Sequence, residues 1–138
     1  MISTRGRYAL RVMIDLAEHW EEGFIPMKDV AARQGISLKY LEQILPSLTK
    51  NGLLETASGK GGGYRLKKAP QDCSAGEILR ITEGNLCSVA CLLPDAETCE
   101  REKICSTVRF WKGLDDVVNE YLDHFTLADF LRTAPSGN

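Results

Sequence analysis

Met27-Lys28-Asp29-Val30-Ala31-Ala32-Arg33-Gln34-Gly35-Ile36-Ser37-Leu38-Lys39-Tyr40-Leu41-Glu42-Gln43-Ile44-Leu45-Pro46-Ser47-Leu48-Thr49-Lys50-Asn51 decides the fold. Its first third predicts a short helix, about Met27 to Gln34, with Val30 and Ala31 inward. Gly35 breaks that helix, because glycine alone enters the left-handed region without strain. Ser37 is placed to cap a second, longer helix running to about Asn51. Leu38, Leu41, Ile44, Leu45 and Leu48 recur at helical spacing and predict its inward face. Lys39, Tyr40, Glu42 and Gln43 fall on the outward face. Short helix, glycine turn, longer helix is a helix-turn-helix pattern. Pro46 removes one backbone hydrogen bond inside it, at about 3 kcal/mol in a regular helix, which predicts a kink or a tight turn.

On the N-terminal side, Ala9, Val12, Met13, Leu16, Ala17 and Trp20 line one face of a helix predicted over about Thr4–Glu22. Ser3 or Thr4 can cap it and Gly23 can end it. On the C-terminal side, Leu53–Ala57 and Tyr64–Lys68 flank Ser58-Gly59-Lys60-Gly61-Gly62-Gly63. Two short runs about a glycine-rich tip predict a β-hairpin, a wing beside the helix-turn-helix. The glycines are no Walker loop, since Leu54 stands where the first glycine belongs and Gly61 where Ser or Thr belongs. A fourth helix is expected over Ser74–Glu83, then an irregular stretch from Gly84 to Cys105, then a long helix over about 106–124. In that helix Val108, Trp111, Leu114, Val118, Tyr121 and Phe125 form a narrow seam of coiled-coil type, which suits pairing with a second copy. The expected class is mainly α with a small β-hairpin: a winged helix-turn-helix with a long C-terminal dimerisation helix. Residues 1–70 form its DNA-binding part. Residues 71–138 form a linker helix, a cysteine-rich loop and the dimerisation helix.

Charge and cysteine content divide at the same place. Residues 1–70 hold 11 Lys/Arg against 7 Asp/Glu, and residues 71–138 hold 6 against 12. A basic front half suits a polyanion partner. Of 138 residues 43% are hydrophobic and 26% charged, the mix of a folded chain rather than a disordered one. No apolar run approaches the roughly 20 residues of a membrane span, and the first residues lack the apolar stretch of a signal peptide. The expectation is a cytoplasmic protein with no membrane association. All five cysteines lie in the second half, and four follow C-x3-C-x7-C-x5-C from Cys87 to Cys105. In a reducing compartment such a cluster points to metal or redox chemistry. A long loop without hydrophobic period needs an organiser, and four thiols can supply one. A thiol redox enzyme would want C-x-x-C and a βαβ pattern, and both are missing from the sequence. Cys73 stands apart at a helix start and reads as inert, and His19 and His124 read as structural.

Ser3-Thr4-Arg5-Gly6-Arg7-Tyr8-Ala9, Gly35-Ile36-Ser37-x-x-Tyr40-Leu41-Glu42-Gln43 and Gly61-Gly62-Gly63-Tyr64 closely resemble the IscR/NsrR/CymR-type (Rrf family) bacterial winged-helix repressors, as does the ending Trp111-Lys112-Gly113-Leu114 with Phe125–Asp129. The resemblance spans nearly the whole chain and is closest to the iron–sulfur, IscR-like members. It implies a homodimer on pseudo-palindromic double-stranded DNA. It also implies a 2Fe–2S or 4Fe–4S cluster on Cys91, Cys99 and Cys105, which stand at the family's three ligand positions. The first two are separated by seven residues here rather than five. Val108 stands where some members carry a ligating histidine, and Arg7 where others carry an acidic ligand from the partner. The fourth ligand is thereby open. Cys87 is the local candidate, since all-cysteine ligation is usual for such clusters; its other reading is a small buried hydrophobe. Zinc is a further alternative, although only Cys87-x3-Cys91 has the usual knuckle spacing. A clusterless, CymR-like regulator acting with a partner enzyme of cysteine metabolism is another.

With the longer helix in the major groove, Glu42 matches a base-reading glutamate of the family and can accept from cytosine N4. Gln43 can pair with adenine, and Ser37, Lys39 and Tyr40 are placed for phosphates or base edges. Arg5, Arg7 and Lys50 are candidate phosphate clamps. Ser58 occupies the wing position where family members often carry an arginine for the minor groove. Lys60 at the tip can replace it, with a less planar grip.

Overall fold

The computed structural model describes residues 2–93 and 105–133. Helix α1 (Thr4–Glu18) starts on Ser3, whose hydroxyl accepts from the Gly6 N–H at 3.3 Å. It ends earlier than its apolar pattern suggests, tightening into a 3₁₀ turn over Trp20–Glu22 before Gly23 at φ +79°. Such tightening satisfies the last carbonyls, which have no donor in a regular helix. Helix α2 (Met27–Gln34) stops at Gly35, which is left-handed at φ +64° with its N–H on the Ala31 carbonyl. Helix α3 (Leu38–Lys50) is capped by Ser37 and runs through Pro46. Strands β1 (Leu54–Ala57) and β2 (Gly63–Leu66) form the antiparallel hairpin, with Leu54 opposite Leu66 and Thr56 opposite Tyr64. Ile25 adds a bridge to Tyr64, with N···O distances of 2.8 and 2.9 Å. A Cβ on Gly63 would sit 2.2 Å from the Ile25 carbonyl oxygen, so this approach requires glycine.

Helix α4 (Ala75–Glu83) packs across α1, and helix α5 (Val108–His124) leads to a short α6 (Leu127–Thr133). The chain returns beside the start of α4: the Ala75 N–H meets the Phe125 carbonyl at 2.8 Å, and the Leu127 N–H meets the Cys73 carbonyl at 2.9 Å. Leu127 is fully buried and joins Val12, Met13, Leu41, Leu48, Cys73 and Ile78 in one apolar cluster. A single core therefore crosses residue 70, so the two parts of the chain share their packing.

Two apolar assignments change. Leu38 was expected inward and is 42% exposed. Helical side chains lean toward the N-terminus, so a first-turn residue overhangs the helix end. On α5 the large exposed side chains are Phe110, Val117 and Tyr121, at 63%, 66% and 65%. With half-buried Leu114 they form a stripe stepping 4, 3, 4, while Val108, Trp111 and Val118 are also half-buried. The outward stripe is thus not the predicted seam, of which it shares Leu114 and Tyr121.

The buried polar anchor is Asp15, 1% exposed. It accepts from Arg33 Nη2 at 2.7 Å, Arg33 Nε at 3.0 Å and Gln34 Nε2 at 2.9 Å. These three bonds fasten the last turn of α2 to α1. Replacing Asp15 by Ala removes the acceptor of all three bonds and leaves a gap beside the core, while Arg33 stays partly in water. The expected loss is about 2–4 kcal/mol of unfolding free energy in urea titration; a loss below about 0.5 kcal/mol would show the anchor to be dispensable.

Candidate DNA-binding face and cysteine segment

Helix α3 presents Lys39, Glu42, Gln43 and Lys50 to solvent. Ser37 is exposed, yet its hydroxyl accepts from the Tyr40 N–H at 3.1 Å and fixes the start of the helix. Tyr40 is half-buried rather than fully outward: its ring meets Tyr8 edge-on at 5.4 Å. Arg11 lies over the Tyr8 ring at 5.3 Å and bonds Gln34. Arg7 is exposed on α1. Arg5 turns inward, its Nη2 on the Gln43 carbonyl at 3.3 Å and the Ser47 hydroxyl at 3.0 Å.

The wing places Ser58 and Lys60 at an exposed tip. Gly59 and Gly61 hold φ near +80°, and the Gly62 N–H closes the turn on the Gly59 carbonyl at 3.0 Å. Arg65 on β2 pairs with Glu55 directly opposite at 2.6 Å and stacks over Phe24 at 4.2 Å. That pairing was readable only once the register was known. Lys39, Lys50, Lys60 and Arg7 enter no ion pair among the described residues. Their charge is therefore not neutralised by an ion pair among the described residues, and such unpaired cations suit a polyanion.

The cysteine segment starts where α4 ends at Gly84, φ +82°. Leu86 is buried and pins it. The Cys87 N–H bonds Asn85 Oδ1 at 3.3 Å, and its thiol donates to the Leu92 carbonyl at 3.3 Å. A 3₁₀ turn over Ala90–Leu92 leaves Cys91 exposed. The Ser88 N–H donates to Asp115 Oδ1 at 2.9 Å, tying this segment to a carboxylate of α5 that is 8% exposed. Neither Ser88 nor Asp115 stood out in the sequence. Cys105 is half-buried just before α5, with its sulfur 3.4 Å from Thr107 Oγ1. Cys99 lies outside the described residues. The thiol donor set suits a soft metal or an iron–sulfur cluster. Its described members are not gathered around one point: among the described residues the one trio of ligand atoms within 4.8 Å is Asp15, Glu18 and His19. Asp15 is already committed to Arg33 and Gln34, and His19 Nδ1 lies 2.5 Å from Glu22.

Cys73 differs from the other described thiols. It is 2% exposed, and burial foremost, with Glu77 nearby, pushes it up to about 12.

Helix, glycine turn, helix with a polar outer face, and a glycine-tipped hairpin together make a winged-helix DNA-binding regulator. The chain belongs to the Rrf2 family, described as iron-dependent transcriptional regulators, whose sequence profile matches residues 2–133. It is 36% identical over 130 residues to the HTH-type transcriptional regulator IscR of Erwinia tasmaniensis, covering 94% of this chain and 78% of that one. Among solved structures it is similar to CymR, the global cysteine regulator of B. subtilis, at TM-score 0.80 and 37% identity over 98% of both chains. It is also similar to T. potens IscR at TM-score 0.78 and 34% identity, covering 100% of this chain and 90% of that one. The family and the Erwinia relative are named as transcriptional regulators, which are not enzymes. No helix among the described residues is long and apolar enough to cross a membrane.

In metal-free, reduced, native protein at pH 8, an alkylating reagent is expected to label Cys91 rapidly and Cys73 only after unfolding, because the thiolate is the nucleophile. Peptide mass spectrometry reads the result. Equal labelling of both would contradict the placement of Cys73 in the core.

Proposed function

We propose that this chain is a homodimeric regulator that reads a pseudo-palindromic duplex and senses iron–sulfur or redox status through a cluster on Cys91, Cys99 and Cys105. Cys87 is the fourth ligand in this reading. The observation that carries it is the cysteine segment itself, which joins α4 to α5 and is fastened to α5 through Ser88 and Asp115. A cluster bound there would supply a redox-sensitive, labile group. The chain's own part is to hold thiols at an exposed rim beside the helix that pairs two subunits. The division of labour is residues 1–70 for DNA and 71–138 for sensing and pairing. Glu42 and Gln43 meet base edges. Ser37, Lys39, Tyr40, Arg7 and Lys50 serve the phosphate backbone or its neighbouring edges, and Ser58 and Lys60 approach the minor groove.

The likeness to a global cysteine regulator supports a second reading, in which the same dimer works without a cluster. Zinc on the thiols is a third. Anaerobic purification separates them: brown protein with iron and sulfide supports the cluster, and colourless protein without iron removes it. Cys99→Ser is expected to abolish the cluster, and full retention would overturn the ligand assignment. If Cys87→Ser also abolishes it, the fourth ligand is identified.

Two further outcomes are expected. Glu42→Ala relaxes base preference by about 1–3 kcal/mol in a binding-site selection, whereas Lys60→Ala weakens all sequences alike. Val117→Asp, on the outward stripe of α5, gives monomers in sedimentation; a dimer of unchanged strength would exclude that stripe from the interface.

A further inference from the structure

Two independent sets of contacts meet at the start of α1. On one side, Arg5 bonds the Gln43 carbonyl and the Ser47 hydroxyl, which flank Pro46 in α3. Proline has no N–H, so the Glu42 carbonyl lacks its usual helical donor and this turn is one rung short. The guanidinium bridges that weakened turn from outside. On the other side, the Ser3 N–H and hydroxyl bond Glu83 Oε1 at 3.0 and 2.7 Å, at the end of α4. A Cβ on Gly6 would lie 2.3 Å from the same oxygen and 3.2 Å from Leu79 Cδ2. The backbone carrying Arg5 is therefore pressed onto α4 while its side chain holds α3.

We propose that Arg5 is a positioning residue that sets the exposed face of α3 against the rest of the fold, not a phosphate contact, and that the Ser3–Glu83 contact holds Arg5 in place. This rests on the reading of α3 as the recognition helix. Arg7, two residues on, is exposed and keeps the phosphate role. The arrangement also has a direction: Glu83 lies four residues before Cys87, so a shift at the base of the cysteine segment reaches α3 within one subunit through the start of α1.

The test uses full-length protein and a duplex enriched from a random-sequence pool by the wild type, with affinity measured across salt. Arg5→Met keeps the length of the stem and removes the donors. It is expected to weaken binding on the order of tenfold, with an unchanged slope of log affinity against log salt. A lost phosphate contact would instead flatten the slope by about 0.9. Ser47→Ala reproduces part of the loss, and the double variant is no weaker than Arg5→Met alone, because both remove one contact. Glu83→Ala, which removes the acceptor, weakens binding in the same direction at unchanged slope. A flattened slope in Arg5→Met, additive losses, or wild-type affinity in Glu83→Ala would overturn the proposal. Circular dichroism melting confirms folding, and if Arg5→Met does not fold, Arg5→Lys with Ser47→Ala closes the same cycle. Unchanged base preference in Glu42→Ala marks failure of the recognition-helix reading instead.

Discussion

The Asp15 carboxylate, buried and holding three N–H donors from the end of α2, is the constraint on which the placement of the helix-turn-helix depends. Burying a charge costs several kcal/mol, and the bidentate guanidinium with a further amide offsets that cost when the geometry is good. Arg33 keeps 38% of its side chain in water, which softens its own penalty. The net stabilisation is thereby modest, and the gain lies in geometry. A purely apolar contact would let α2 slide along α1. Three directed bonds allow one placement, and from it Gly35 and Ser37 launch α3 in one direction.

The second half of the chain is joined to this frame by polar contacts of the same kind. Arg80 on α4 reaches Asn119 at 2.6 Å and Asp123 at 2.5 Å on α5. A Cβ on Gly76 would meet Asp123 Oδ1 at 2.3 Å, so the two helices touch nearly backbone to side chain. Ser88 grips α5 one helical turn before Asn119. Helix α5 is thus held at Asp115, Asn119 and Asp123, three residues at i, i+4 and i+8 on one face. Its other face carries Phe110, Val117 and Tyr121 largely bare. A helix held by a polar ladder on one side can expose an apolar stripe on the other without losing its place in the fold.

Much of this was legible in the sequence. The boundaries of α2, the cap Ser37, the left-handed Gly35 and the glycine-tipped hairpin follow from local rules that need few neighbours. Three features did not, each for a physical reason. Asp15 and Arg33 are 18 residues apart, and nothing local marks a carboxylate on an apolar face as paired rather than solvated. The apolar residues of α5 cover about half its circumference, so spacing alone could not say which stripe meets α4. Arg5 looks like any exposed basic residue near a helix start until Pro46 is seen opposite it. Of the candidate ligands, Cys87, Cys91 and Cys105 lie at the two ends of the segment between α4 and α5, and their sulfurs are not gathered around one point.

Burial also sorts the thiols chemically. Cys73 and Cys87 are separated by one helix, yet Cys73 sits among Leu127 and Ile78 while Cys87 sits at a partly solvated turn. Desolvation disfavours the thiolate, and Glu77 beside Cys73 disfavours it further. Metal ligation and redox chemistry both need the thiolate. A chain with five cysteines would be prone to mispairing if all were equally ionised. Sinking Cys73 into the core leaves reactive sulfur to the segment beside α5. The same side chain that fills space in the core is thereby kept out of thiolate chemistry.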